Sequence, residues 1–100
     1  MTEVKVFLDE DDVYQNEPTY EYIMRYLLHH NIRGASVFEA VMGYGRKHHL
    51  HRPRRLGGSD EESIMIIFID VDEKIRGVLP HLKEVLQDGL ITLQRVEIAR

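Results

Sequence analysis

Val4, Val6 and Leu8 alternate with Lys5 and Phe7 in VKVFLD, the period-two pattern of a strand with one face on a core, and the acidic run Asp9 to Asp12 stops it. Pro18 and Thr19 then open a helix, since a proline in the first turn gives up no intrahelical hydrogen bond. Tyr20, Ile23, Met24, Leu27 and Leu28 follow at i, i+3, i+4, i+7 and i+8, a stripe suited to packing on a sheet. Asn31 fits the left-handed position that ends such a helix, with Ile32 tucking back and Gly34 releasing the chain. A second strand is expected from Ala35 to about Tyr44; FEAVM alone also fits a helix, and the strand assignment rests on context. SIMIIFIDV, Ser63 to Val71, is the isoleucine-rich run of a central strand. Asp72 is placed to cap a helix carrying Ile75, Leu79, Leu82 and Leu86 on one side, ended by Gly89 with Leu90 packing back. Pro80 lies inside that helix, where the lost backbone bond costs about 3 kcal/mol, so a kink near Arg76 or Gly77 is expected. TLQRVEIA closes the chain as a fourth strand.

This order, β-α-β-β-α-β, is the ferredoxin-like split βαβ pattern, an α+β fold with a four-stranded antiparallel sheet and two helices on one face. One hundred residues with 43% hydrophobic content suit one domain, 1–100, with one core. The far face of the sheet needs a cover, because Phe7, Val37, Met65 and Ile67 cannot all point toward the helices, and a continuous apolar face favours oligomerisation.

Charge changes the picture at one place. The chain carries a formal net charge of −4, yet the segment Arg46 to Arg55 holds five of its 13 Lys/Arg, three histidines and no acid. Without it the rest stands at −9, so the segment is a cationic island on an acidic body. It falls in a connection of about 45–62, longer than the roughly 12 to 15 residues beyond which structureless loops are uncommon and usually functional.

Anion binding is the first chemistry this segment suggests. Arginine gives planar bidentate donors, lysine a point charge, and glycines such as those in GYGR let backbone N–H groups approach a phosphate. The pattern matches neither the Walker A nor the dinucleotide fingerprint, and a solvated charged hairpin tip fits it equally. A metal site at His48, His49 and His51 is disfavoured, since the loop between the strands sets five cations beside them and no thiolate exists. Protonating these histidines would instead strengthen anion binding as pH falls. RNA-recognition modules share the element order, but SIMIIFIDV has one aromatic, Phe68, and no basic residue, so the base-stacking platform is missing. No serine sits in a nucleophile-elbow pattern and no carboxylate pair is tied to a base, so an enzyme is not expected. Asp9 to Asp12 reads as a solvated turn rather than a cation site.

The absence of cysteine removes disulfides and thiolate chemistry and is compatible with a reducing compartment. The first residues lack a basic start followed by an apolar stretch, and no apolar run approaches about 18 residues. The expected location is the cytoplasm, with no direct membrane insertion; action at a membrane would go through a partner.

GASVFEAVMGYGRKHHLH, DVDEKIRGVLPHL and DGLITLQRVEI resemble domain-of-unknown-function family 190, whose members look like PII signal-transduction proteins. The likeness rests on Gly34 to Val37, Gly43 to Arg46, Leu79-Pro80 and Thr92 to Ile98, and extends over nearly the whole chain. It implies a ferredoxin-like homotrimer with the sheets facing inward, and it makes the long connection the counterpart of the PII T-loop. In PII proteins that loop contacts client transporters, channels or enzymes, and its base joins the turn before the last core strand of a neighbouring subunit to hold an adenine nucleotide. The loop base corresponds here to Gly43, Gly45 and Arg46, and the turn to Asp88-Gly89-Leu90-Ile91. The PII turn G-D-G-K-I has Gln87 at its first glycine and Leu90 at its phosphate-binding lysine, and the loop offers no tyrosine for uridylylation.

The expectation is a PII-like regulatory protein, with no required cofactor. An adenine nucleotide or other phosphate-bearing ligand would sit at Gly43, Gly45, Arg46, Asp88 and Gly89. Lys47, His48, His49, His51, Arg52, Arg54 and Arg55 would face a client. A ligand-free module docking on an acidic surface is the alternative, and a divalent-metal-handling protein of the related CutA type the third reading. No catalytic or metal residue and no specific nucleic acid is assigned.

Overall fold

In the computed structural model the described residues are 1–42 and 63–100. Strands β1 (Thr2–Asp9), β2 (Val13–Tyr14) and β3 (Glu17–Pro18) precede helix α1 (Thr19–His29); β4 (Ala35–Glu39), β5 (Ser63–Asp70), helix α2 (Asp72–Val85) and β6 (Leu90–Arg95) follow. The main sheet is antiparallel in the order β4-β5-β1-β6, and β2 and β3 form a separate small hairpin. Both helices lie on one face, as the ferredoxin-like pattern requires.

Alternation decides what each face holds. Val4, Val6 and Leu8 of β1 and Ile64, Ile66 and Phe68 of β5 point to the helices and are buried with Ile23 and Leu27 of α1 and Ile75, Val78, Leu79, Leu82 and Val85 of α2. Among the described residues no element packs on the opposite face. Val37 turns to the helix side, opposite Ile66, whereas Phe7, Met65 and Ile67 face away. One cross-strand row on the open face is wholly apolar: Phe38 opposite Met65, Met65 opposite Phe7, Phe7 opposite Leu90. The rows behind it grow polar through Ser36, Lys5 and Thr92 to Glu3 and Gln94.

Helix α1 ends in a Schellman motif. Asn31 takes φ 60°, its N–H donates to Leu28 O, and Ile32 N–H donates to Leu27 O, which tucks Ile32 into the core. The stripe on α1 is narrower than its spacing suggests: Ile23 and Leu27 are core, Tyr20 and Met24 are half-buried, and Leu28 is 70% exposed. The small hairpin turns on Gln15 and Asn16, at φ 48° and 66°, the left-handed pair that a two-residue type I′ turn demands. Asp9 to Asp12 is a hydrogen-bonded turn, with Asp12 N–H on Asp9 O, and it serves α1 by accepting Thr19 N–H at Asp12 O.

Three boundaries depart from the pattern. Within the described residues β4 ends at Glu39 rather than continuing toward Tyr44, because its ladder runs out where β5 begins; Ala40 N–H makes the last bond, to Ser63 O. Gly43 and Tyr44 lie outside the described residues. The final strand is Leu90–Arg95 rather than Thr92 to Ala99, since its partner β1 spans only the residues opposite it. Asp72 is the first residue of α2 and not its cap: Val71 holds the cap position, and the Asp72 carboxylate accepts from Thr2 Oγ1 at 3.1 Å and Arg76 Nε at 2.9 Å. The α2 helix runs unbroken through Pro80, where Arg76, Gly77 and Pro80 all lie on its exposed side, so a carbonyl without its helical partner can be solvated.

The connection between α1 and β4 is anchored by Asp70, whose side chain is 1% exposed. Its carboxylate accepts the N–H groups of Arg33 at 2.8 Å and Val71 at 2.7 Å, with Lys74 Nζ at 4.0 Å. Burial pushes its pKa up, but the two backbone donors and the lysine charge outweigh burial and hold it below the usual carboxylate value. Its contribution to stability is therefore complete above the unfolded-state value of about 3.9 and is lost as pH falls through the lower folded value. Asp70→Asn should cost about 1 to 3 kcal/mol at pH 7, because an amide cannot accept from both N–H groups as the carboxylate does. Urea unfolding should show that gap narrowing between pH 5 and pH 2; a gap independent of pH would refute the anchor.

Candidate functional site

The two ends of the sheet are unlike. At one end lie the close of β1 at Asp9, the close of β4 at Glu39, the start of β5 at Ser63 and the turn between α2 and β6, residues 86–89. The chain leaves the described residues after Met42 and returns at Ser63, both at this end. Of the residues expected to hold a ligand, Gly43, Gly45 and Arg46 lie outside the described residues. Lys47, His48, His49, His51, Arg52, Arg54 and Arg55 lie outside them too, as does the whole connection 45–62.

Asp88 and Gly89 are described and sit in the turn at the same end. They do not meet the β4 end within one copy. β4 and β6 are opposite edges of the sheet, three strand spacings or about 14 Å apart. Any ligand that touches both the β4 end and this turn must therefore bridge two edges, or reach a turn supplied by another molecule.

Gly89 also has a packing reason to be glycine. A Cβ built there would collide with Phe7 O and press both methyl groups of Leu86. Close passage of the turn over β1 is what lets Leu90 enter the sheet opposite Phe7. Gly89→Ala is therefore a poor probe of ligand contact, and Asp88 is half-buried in the same turn.

Across the outer face of the helices runs a feature that no single element announces. Tyr14 of β2 meets Tyr22 at 4.7 Å between ring centroids, and His81 of α2 lies 4.6 Å from Tyr26, whose ring in turn meets His30 at 4.0 Å. Tyr22 Oη and His81 Nε2 share a hydrogen bond of 2.7 Å that ties α1 to α2. Arg25 sits 5.8 Å over the Tyr22 ring and forks onto both Glu17 oxygens, and the Glu17 bond raises the arginine pKa further. Burial raises the phenol pKa of Tyr26. The spacing of Tyr22 and Tyr26 on α1 hints at the ladder, but His81 comes from a helix 59 residues later. With its rings packed on one another this is a helix-to-helix tie; among the described residues no group of three His, Asp or Glu is arranged to hold a metal ion. Among them, too, no helix is long and apolar enough to cross a membrane.

The sheet order, the two helices on one face and the long excursion between β4 and β5 define a PII-like fold. CPII, a nitrogen regulatory PII-like protein from Thiomonas intermedia K12 solved with ADP, AMP and bicarbonate, superposes with a TM-score of 0.73 at 15% identity, over 99% of this chain and 88% of that one. CutA1 from Pyrococcus horikoshii matches with a TM-score of 0.60 at 15% identity, over 97% and 86%. A phage SAM lyase in its apo state matches with a TM-score of 0.52 at 19% identity, over 93% and 78%, so the fold by itself does not separate regulators from enzymes. Residues 1–98 match DUF190, described as "Uncharacterized ACR, COG1993", and the chain belongs to that family. A UPF0166 protein of Aquifex aeolicus is 30% identical over 95 residues, 95% of this chain and 90% of its own length.

Gly89→Ala should lower unfolding stability by about 1 to 3 kcal/mol through that collision, and Tyr22→Phe by about 0.5 to 1.5 kcal/mol through the lost hydrogen bond. Chemical denaturation of both variants checks this. Wild-type stability in Gly89→Ala would return Gly89 to the set of residues with no packing role.

Proposed function

We propose that this chain is a cytoplasmic PII-like regulatory protein, a homotrimer, that takes a phosphate-bearing ligand at the base of its long connection and passes the bound state to a client protein. The ligand class is an adenine nucleotide. The observation that carries the reading is the convergence on one sheet end of the Asp88–Gly89 turn and the points where residues 43–62 leave and return. That convergence, with the cationic charge of Arg46 to Arg55, suits an anionic ligand. The ADP and AMP held by CPII make adenine nucleotides the first ligands to try.

In this reading Gly43, Gly45 and Arg46 of one copy face Asp88 of the next. Arg46 supplies a bidentate donor to phosphate, and the glycines let backbone N–H groups close on it. Binding neutralises part of the positive charge and changes how Lys47, His48, His49, His51, Arg52, Arg54 and Arg55 meet an acidic surface on a transporter, channel or enzyme. No covalent step is needed. The open row Phe38, Met65, Phe7 and Leu90 supports the trimer, since an apolar face of this kind is better covered than wetted.

Calorimetric titration of the wild-type protein with ATP, ADP and AMP is the test, with Arg46→Ala and Asp88→Ala as controls. Saturable heat with at least one nucleotide, weakened ten-fold or more by Arg46→Ala, is expected. No heat with any of them removes the nucleotide and leaves a module whose client affinity depends on salt and on Arg52, Arg54 and Arg55 alone.

A further inference from the structure

The ring ladder over the helices has a chemistry besides packing. Tryptophan, tyrosine and cysteine are the side chains that give up single electrons most readily, whereas methionine is oxidised by oxygen transfer. This chain has no tryptophan and no cysteine, so its five tyrosines are the sinks for one-electron oxidation. Three of them, Tyr14, Tyr22 and Tyr26, belong to the ladder. Tyr22 stands in the middle, its ring centroid 4.7 Å from Tyr14 and 6.4 Å from Tyr26, the latter ring nearly parallel to it at 12°. Tyr26 continues to His81 at 4.6 Å and to His30 at 4.0 Å. All three tyrosines are half-buried, so each keeps some contact with solvent.

Losing an electron makes a phenol O–H a strong acid, and the oxidation is easy only where a base stands ready for the proton. Tyr22 has that base. Its Oη lies 2.7 Å from His81 Nε2, and Nδ1 of the same imidazole faces the Glu84 carboxylate at 3.7 Å. A carboxylate beside Nδ1 favours the tautomer that carries its proton there, which leaves Nε2 to accept from the Tyr22 hydroxyl. A base oriented by a third group is the arrangement that activates a hydroxyl. Arg25 acts from the other side. Its guanidinium carbon sits 5.8 Å over the Tyr22 ring, where a positive charge opposes a cationic ring and favours loss of the proton together with the electron. Among the described residues Tyr22 is the one phenol of the three whose oxygen meets an imidazole nitrogen, while Tyr14 Oη accepts only from Gln15 Nε2, at 3.5 Å.

We propose that Tyr22 and His81 form a one-electron redox site, flanked by Tyr14 and Tyr26 as relays, that reduces small oxidants of the oxyl-radical class. In the step an electron passes from the Tyr22 ring to the oxidant, directly or by way of Tyr14 or Tyr26. The Tyr22 Oη–H bond breaks, and the proton is taken up on His81 Nε2, whose new charge faces Glu84. The oxyl radical becomes an oxyanion and takes a proton from water, and Tyr22 is left as a neutral phenoxyl. A one-electron donor of the enediol class restores the site: it returns the electron to Tyr22 and releases its own proton to water, while His81 gives back the proton it held. The site uses none of the residues assigned to the ligand or the client, so it stands independently of that reading.

Photogenerated tris(bipyridyl)ruthenium(III), an outer-sphere one-electron oxidant, is the probe, and flash photolysis reads the rate at which the whole protein reduces it. Tyr22→Phe and His81→Gln should each slow that rate about ten-fold, less than a positioned base can supply because the remaining phenols still react. His81→Gln keeps an acceptor for the Tyr22 hydroxyl but cannot carry its proton, so a purely structural tie would leave the rate unchanged. Tyr20→Phe, outside the ladder, should react at the wild-type rate. Circular dichroism checks the fold of each variant. Glu84, 76% exposed, can be changed without disturbing packing, and Glu84→Gln stands in if His81→Gln fails to fold, since it removes the group that holds the imidazole tautomer and should also slow the reduction. A folded His81→Gln, or Glu84→Gln in its place, that matches the wild type overturns the site, as does a Tyr20→Phe that slows as much as Tyr22→Phe.

Discussion

Eight consecutive pairs join β1 to β5, from Thr2 opposite Asp70 to Asp9 opposite Ser63, and the rest of the molecule takes its bearings from that register. A slip of one residue would turn Val4, Val6 and Leu8 to the open face and bring Lys5 and Glu3 beneath the helices. Instead the pleat sends every fully buried aliphatic of the two central strands to one side, where α1 and α2 close over it. The same alternation that makes the core also leaves Phe7 and Met65 facing away from it. Among the described residues the sheet is covered on one side only, the direct result of two helices that return to the same face, and an apolar row is left on the other.

The ends of the sheet follow from the ladder as well. Because β5 starts at Ser63 and β4 stops at Glu39, the excursion between them must depart from the end where β1 finishes and β6 begins. The acidic turn after β1 is there too, and it is used structurally: Asp12 O receives the first N–H of α1. At the other end a single buried carboxylate, Asp70, fastens the entry to β4 and the start of α2 together. Asp72, two residues on, is exposed and serves Thr2 and Arg76, and its pKa is held down first by the Arg76 bond and then by Thr2.

Much of this fold was legible in the residues. The alternation of Val4, Val6 and Leu8, the run from Ser63, the 3.6-period stripes and Asn31 identified every main strand and both helices, and the apolar surplus on the sheet announced an open face. What the residues did not reveal depends on partners distant in sequence. Nothing local distinguishes Asp70 from Asp72, and the choice is made by the Arg33 N–H, 37 positions earlier. Leu28 continues the stripe on α1 but overruns the edge of a four-stranded sheet, so its exposure is a property of sheet width. The hairpin at Gln15-Asn16 lacks the Asn-Gly pair that advertises such turns. Of the candidate ligand residues, the turn at Asp88 and Gly89 could be located in space, and Gly89 proved to have a steric duty toward Phe7 that its place in a motif conceals.

The proposed ligand site belongs to two neighbouring chains, at the end of the sheet where residues 43–62 leave and return. A crystal structure of the wild-type protein grown with ADP tests this most directly. The prediction is a nucleotide bound between the Asp88–Gly89 turn of one copy and residues 41–46 of the next, within a closed ring of copies. A nucleotide held within a single copy, or at the polar end of the sheet near Glu3 and Gln94, would contradict it.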